Sequence, residues 1–140
     1  MHASRHGGIL YLKEFLGDAV LDELRDRIFT YLARNRVCVI ATRGSNGAWA
    51  VPVQYEFQGL ALNCLLPRWS DAFFHIEQDP HVMAIVLEGQ SMPMRWLQYR
   101  GIARIGDSTD ERYVTIHITP QHIDLIDESR GWGARETYEI

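Results

Sequence analysis

Residues 38–86 read CVIATRGSNGAWAVPVQYEFQGLALNCLLPRWSDAFFHIEQDPHVMAIV. Three mainly apolar blocks begin in or just before this stretch, namely residues 37–42, 48–57 and 60–66. The first two are rich in β-branched and aromatic residues, and the third is mostly leucine. The turns between the blocks carry Asn46-Gly47 and Gln58-Gly59, and Asn and Gly tolerate the positive φ of a tight hairpin. The stretch therefore predicts three consecutive antiparallel strands.

Pro52 interrupts the second of these predicted strands. Proline has no N–H and cannot donate a hydrogen bond to a neighbouring strand, so it occurs at sheet edges and bulges. We therefore expect position 52 to be an edge, a bulge or a place where the sheet opens toward something else.

The rest of the chain adds two helices and four further strands to this prediction. An apolar stripe at steps of three and four residues predicts an amphipathic helix over residues 18–35, after an arm of residues 1–17 with no firm period. A short helix is predicted over residues 70–79, since Ser70 can cap its start and Pro80 prevents its continuation. The further strands are predicted at residues 81–88, 94–106, 113–119 and 122–127. A sheet of seven strands leaves exposed edges unless it closes on itself. We therefore expect a closed antiparallel sheet.

The composition is that of one soluble domain and argues against several functional classes. The 140 residues are 46% apolar and 23% charged, which is enough for one core but not for two domains. The net charge of -4 disfavours nonspecific binding to nucleic acid. No run approaches the roughly 18 to 20 apolar residues that cross a bilayer, and no apolar signal-peptide core opens the chain. We therefore expect a cytoplasmic protein with no membrane contact.

The sequence contains no strong catalytic or metal-binding motif. Cys38 and Cys64 lie 26 positions apart inside apolar runs, and we expect buried reduced thiols. His117 and His122 flank a proline and cannot share a helical face, so no metal site is expected. A phosphate-binding loop, a GxSxG elbow and HExxH are all missing. Any chemistry is therefore expected to come from a bound cofactor.

Several short strings, taken in order, carry a resemblance to a known family. They are Ala41-Thr42, Gly47, Pro52-Val53, Gly59, Asp79-Pro80 before Val82, RWLQYRGIARI at 95–105 and ITPQHIDLIDESRGWGARET at 118–137. Over residues 20–140 the chain resembles the FMN-binding split-barrel family that includes pyridoxamine 5'-phosphate oxidase. The resemblance implies a mainly β fold, a six-stranded antiparallel split β-barrel with a few short helices, as one FMN-binding domain over residues 18–140 after the arm of residues 1–17.

The resemblance also implies a function. It implies a homodimer with one FMN per subunit in a groove between the subunits, and a flavin-dependent oxidoreductase acting on a small-molecule substrate or electron donor. The open alternative is a non-catalytic binding module or structural dimer that has lost FMN or holds a deazaflavin or haem. Oxidation of pyridoxamine phosphate itself is disfavoured, because the chain is short and offers no basic cluster for a second phosphate.

The resemblance assigns cofactor contacts to three sets of residues and a catalytic role to none. The flavin ring would lie against Ala50, Val51, Pro52, Val53, Leu65 and Leu66. The phosphate would lie near Arg68 and Ser70. The second subunit would bring Arg95 and Trp96, and Trp132 would lie against the ring. The alternative for each is structural, since these side chains can equally serve as core, interface, helix cap or solvated surface.

The phosphate end departs from the family pattern. Members often carry Ser, Arg and Lys where this chain has Ser70, Asp71 and Ala72. A carboxylate and a methyl group thus replace two cations, which removes attraction for a phosphate and adds repulsion. The other available donors are Arg43, Arg68, Arg95 and the first-turn amides after Ser70.

Overall fold

One antiparallel sheet and two helices make up the described chain. The computed structural model describes residues 9–89, 91–107 and 110–140, with side chains from Ala19 onward. The elements are α1 (Ile9–Arg34), β1 (Val37–Gly44), β2 (Gly47–Gln58), β3 (Ala61–Pro67), α2 (Asp71–Gln78), β4 (His81–Leu87), β5 (Arg95–Ile105), β6 (Tyr113–Asp127), a 3-10 turn (Glu128–Arg130) and β7 (Arg135–Glu139).

The sheet closes into a barrel. The described strands lie in the order β3-β2-β1-β4-β5-β6-β7, and an additional pairing between β3 and β6 closes the first six strands. β7 lies outside the closed part and pairs with the second half of β6, from His122 to Ile126. The predicted six-stranded antiparallel barrel is therefore confirmed, with one extra strand.

β6 corrects two of the predicted strands. Residues 113–119 and 122–127, predicted as separate strands, form one continuous strand that pairs with β5 throughout. Pro120 does not end the strand, because the register against β5 shifts between Arg100 and Gly101. The shift leaves one extra residue, Gln121, on the β6 side, which is a β-bulge. β7 was not predicted as a strand.

The first helix starts earlier than the sequence pattern indicates. α1 begins at Ile9, so the predicted start at residue 18 is wrong and the helix crosses the predicted end of the arm. Gly17 lies within the helix, where a glycine costs only about 1 kcal/mol relative to alanine. Residues 1–8 of the predicted arm lie outside the described residues.

The predicted hairpin turns are present, with one difference. Ser45 and Asn46 connect β1 to β2, and Gly47 takes a φ of +116° as expected. Asn46 does not share the positive φ, since every described residue with positive φ is a glycine. Gly59, in the next turn, has a φ of +58°.

Alternate residues of each strand fill the barrel, and the buried face of α1 covers one side. Leu24, Ile28 and Leu32 of the predicted apolar stripe are buried, whereas Leu21 is only half-buried. Inside the barrel the Sγ atoms of Cys38 and Cys64 lie 4.0 Å apart, and both cysteines are free and buried, as predicted.

Two tyrosines in the core differ in their hydrogen bonding. The Tyr55 hydroxyl donates to the Leu32 carbonyl oxygen at 2.8 Å, which ties α1 to β2. The Tyr99 hydroxyl is buried and has no hydrogen-bond partner in the described part of the chain. Burial raises the pKa of both hydroxyls well above the usual value for tyrosine, so both stay protonated.

We predict that replacing Tyr99 by Phe leaves the free energy of unfolding unchanged or raises it, because the lost hydroxyl makes no bond with a described group. The matched control is Tyr55→Phe, which leaves the Leu32 carbonyl without its donor and should cost about 0.5 to 1.5 kcal/mol. Urea unfolding of the two variants and the wild type measures both effects. A loss for Tyr99→Phe as large as for Tyr55→Phe would contradict the prediction.

Candidate functional site

The barrel is split between β2 and β3. β3 pairs with β2 only from Ala61 to Cys64 and then continues along β6 as far as Pro67. The part of β2 from Gly47 to Gln54 is therefore paired with β1 on one side and with no described strand on the other. The sheet opens at this point.

The open edge of β2 presents a defined set of backbone groups. The Tyr55 N–H donates to the Arg36 carbonyl oxygen at 2.9 Å, so the polar backbone groups of Tyr55 point toward β1. Successive residues of an antiparallel strand point their N–H and C=O groups to opposite sides. The backbone groups of Ala50, Pro52 and Gln54 therefore face the split, where they need a partner other than a strand.

Pro52 occupies the kind of position that its chemistry allows. Its Cα is opposite Val39 of β1, in a pair whose backbone polar groups point away from each other. The missing N–H therefore costs no bond to β1. The expectation that position 52 marks an edge of the sheet is confirmed.

The predicted ring-binding residues divide by the direction of their side chains. Ala50, Pro52 and Leu65 are exposed on the outer surface beside the split. The other three point into the barrel and are buried, namely Val51, Val53 and Leu66. The side chains of these three residues therefore belong to the core, and only their backbone lies beside the split.

A groove of about 910 Å³ lies where β2 and β3 come together at the end of the split. The end of α1 forms one wall, and Val37, Phe57 and Leu65 give it exposed apolar surface. The polar residues that line it are Asn35, Arg36, Gln54, Glu56, Asn63 and Thr115. The volume lies within the range of small-molecule sites, and the walls combine apolar surface with polar groups.

His75 fixes helix α2 against the β1–β2 hairpin. Its Nδ1 lies 2.9 Å from Thr42 Oγ1 and its Nε2 lies 2.7 Å from Asn46 Oδ1, and the side chain is buried. A Cβ on Gly44 would lie 2.4 Å from the His75 ring, so this contact requires a glycine. No local sequence pattern indicates this role, because the partners of His75 lie about thirty positions away in the chain.

The start of α2 does not form a phosphate site of the expected kind. The Ser70 hydroxyl is buried and donates to the Pro67 carbonyl oxygen at 2.8 Å, so it is not available to a ligand. Asp71 is half-buried in the first helical turn, and Ala72 is fully buried. Arg68 is exposed, with its Nε donating to the Asp110 carbonyl oxygen at 3.2 Å. The residues present fit a planar ring beside β2 better than they fit a phosphate at α2.

The remaining predicted residues form a second set at another place on the barrel. Arg95 and Trp96 lie at the start of β5, which β1 and β4 separate from β2. Trp132 follows the end of β6, whose Asp127 pairs with Arg95, and is 97% exposed between Gly131 and Gly133. Within one copy of the chain, the residues of each set therefore lie near one another, but the set beside the split and the set at the start of β5 lie apart.

Arg95 lies beside a carboxylate that remains ionised. Hydrogen bonds from Ser129, with the charges of Arg95 and Arg130, hold the pKa of Asp127 below its usual value. The Arg95 Nε is buried and has no hydrogen-bond partner among the residues with described side chains. Trp96 is half-buried, and its indole N–H lies 3.5 Å from Gln98 Oε1.

The described residues contain no group of three or more His, Cys, Asp or Glu side chains placed to hold a metal ion. No helix in this part of the chain has both the length and the hydropathy needed to cross a membrane.

Comparison with solved structures identifies the fold. General Stress Protein 26 from Bacillus anthracis superposes with a TM-score of 0.69 at 20% identity, covering 84% of this chain and 98% of that protein. A pyridoxamine 5'-phosphate oxidase-related, FMN binding protein from Nostoc punctiforme gives 0.62 at 12% identity, covering 83% and 96%. A heme binding protein from Mycobacterium smegmatis gives 0.68 at 15% identity, covering 80% and 56%.

Sequence comparison adds nothing to this result. No family sequence profile matches the chain, and no curated protein is similar to it in sequence. At these low identities the structural matches establish the architecture alone.

Proposed function

We propose, for a chain with the split-barrel fold of the pyridoxamine 5'-phosphate oxidase-like proteins, that it binds a flavin, FMN in the first instance, at the seam of a homodimer. The bound flavin would exchange electrons with a small-molecule substrate or donor. On this proposal the protein is a flavin-dependent oxidoreductase.

The open edge of β2 is the observation that carries the proposal. The backbone groups of Ala50, Pro52 and Gln54 face the split, with exposed apolar side chains on either side. An isoalloxazine ring has apolar faces and a polar edge with both donors and acceptors. Such a ring would bond to the open edge of the strand while its faces lie against apolar surface.

A second copy of the chain is the occupant that we propose for the outer face of the sheet. Val39 pairs with Pro52 on one side and with Ile85 on the other, and all three side chains point outward. Val37 and Leu87 continue this surface, with half and 43% of their area exposed. We call these five residues the outer apolar face. A contiguous apolar surface of this kind marks an interaction site, and it continues to the split through Pro52.

The dimer also explains the second set of predicted residues. Arg95, Trp96 and Trp132 lie away from the split in the same copy, because β1 and β4 separate β5 from β2 and β6 separates it from β3. On this proposal they line the cofactor cleft by reaching the split of another copy. In a twofold dimer, the second set of each copy would lie at the split of the other copy, which makes two equivalent sites.

The protein side chains would act by binding and orienting, because the redox chemistry belongs to the flavin. The sequence and the described geometry assign no side chain as a proton donor or acceptor. The apolar surroundings of the split would hold the ring and keep water from one of its faces.

The second candidate function is that of a binding module or structural dimer that does not bind FMN. Asp71 and Ala72 stand where cations would hold the phosphate, and the buried hydroxyl of Ser70 is already bonded. One structural neighbour is a heme binding protein. The chain would then be a binding module or structural dimer whose groove is empty or holds haem or a deazaflavin.

The absorption spectrum of the purified protein tests the cofactor. We expect a flavin spectrum, and expect added FMN to bind to protein from which the flavin has been removed, with one flavin per chain. A Soret band would support haem and contradict the flavin proposal. A colourless protein that binds neither FMN nor riboflavin would support the structural dimer.

Substitution of Val39 tests the dimer. We expect Val39→Asp to weaken self-association by at least tenfold and to reduce flavin binding with it, because a carboxylate would be buried in an apolar interface. The matched control is Val20→Asp on α1, since the two valines are 38% and 43% exposed. Sedimentation equilibrium measures the association. A wild-type monomer, or equal effects of both substitutions, would contradict the proposed interface.

Substitution of Asp71 tests the position of the phosphate. We expect Asp71→Arg to tighten FMN binding on the order of tenfold, because a repelling charge becomes a donor at the start of α2. Riboflavin, which has no phosphate, should bind as before. The control is Glu77→Arg, which makes the same charge change at the exposed end of the same helix. Unchanged or weaker FMN binding in a titration would place the phosphate elsewhere.

A further inference from the structure

A second groove, of about 670 Å³, lies on the outer surface of β1, β4 and β5. It is next to the outer apolar face and is distinct from the groove beside β3. Arg43 and Arg100 give it positive charge, His81 lines it beside them, and Ala41 and Met83 give it an apolar floor. We propose that this groove binds the phosphate group of a small organic molecule.

Strand register places the two arginines on the same side of the sheet. Met83 is opposite Ala41 on β1 and opposite Arg100 on β5, so the three form one row across the outer surface. Arg43 lies two residues further along β1 and points to the same side. Standard strand spacings put the two arginine Cα atoms about 12 Å apart, which lets both guanidinium groups reach one ligand between them.

The groove carries an excess of positive charge in a chain with a net charge of -4. Asp79 is the carboxylate at its rim, 3.5 Å from Arg43 Nε and 2.8 Å from His81 Nδ1. Hydrogen bonds from His81, with Arg43, hold the pKa of Asp79 below its usual value, so it is ionised at neutral pH. Arg100 is exposed and forms no ion pair with the described side chains. Asp79 therefore offsets the charge of Arg43, whereas no carboxylate among the described side chains is paired with Arg100.

The β-bulge in β6 supplies an independent observation. Gln121 is the extra residue of the bulge, and it is one of the residues that line the groove. The Ile140 N–H donates to the Gln121 carbonyl oxygen at 3.2 Å, and a Cβ on Gly101 would lie 2.4 Å from the Thr119 carbonyl oxygen. Bulges of this kind redirect side chains beside functional sites. Here the extra residue and Arg100 line the same groove.

The donors select the chemistry of the ligand. Guanidinium groups bind phosphate through paired N–H donors, and a glutamine amide adds a neutral donor. The apolar floor suits the organic part of a ligand. Two arginines are too few for the extended backbone contacts of a nucleic acid. A phosphorylated small molecule fits the groove on each of these counts.

Titration of wild-type protein with inorganic phosphate, followed by amide chemical shifts, tests the groove. We expect saturable binding that Arg100→Gln weakens at least fivefold. The matched control is Arg104→Gln on the same strand and the same face, since Arg104 is exposed and lies outside the groove. The control should bind phosphate as the wild type does.

FMN and riboflavin titrations of the same variants identify the source of the phosphate. If Arg100→Gln weakens FMN but not riboflavin, the groove holds the phosphate of the flavin itself. If it weakens inorganic phosphate and neither flavin, the groove serves a separate phosphorylated molecule. Both results support the site, and the second does so even if the flavin proposal fails. No saturable phosphate binding, or equal losses in the Arg100 and Arg104 variants, would overturn it.

Discussion

The pairing of β3 with β6 is the constraint on which the rest of the structure depends. It closes the barrel, but β3 can follow β6 only by leaving β2 after Cys64. Closure therefore creates an open strand edge a few residues away from a fully buried core. Because backbone polar groups require partners, such an edge persists only where water, a ligand or another chain can reach it.

The inward-facing and outward-facing side chains of the same strands have different roles. Inward side chains such as Ile40 and Leu66 pack the core, and their outward neighbours form surfaces with distinct chemistry. Along β1 the outward residues change from Val37 and Val39 to Arg43, so an apolar surface turns into a cationic one within six positions. The proposed dimer contact and the proposed anion groove are thus neighbours on one sheet, and β1 and β4 contribute to both.

Local signals in the sequence predicted much of the fold and part of the site. Hairpin glycines, alternating apolar residues and Pro52 were enough for β1 to β3 and for the open edge, because these features act over a few residues. The same reasoning divided β6 at Pro120, since a bulge depends on how the neighbouring strand is shifted. It also missed His75, whose partners Thr42 and Asn46 lie about thirty positions away in the chain.

The sequence by itself determined the type of fold, an interruption of the sheet at Pro52 and the loss of basic residues at the start of α2. Each of these follows from the residue types at neighbouring positions. Only the tertiary structure decided that the Ser70 hydroxyl is already bonded, that Arg95 and Trp132 lie away from the split, and that Arg43 and Arg100 share one groove. Those facts depend on which strands lie side by side, and strand order is set by long-range pairing that no local pattern encodes.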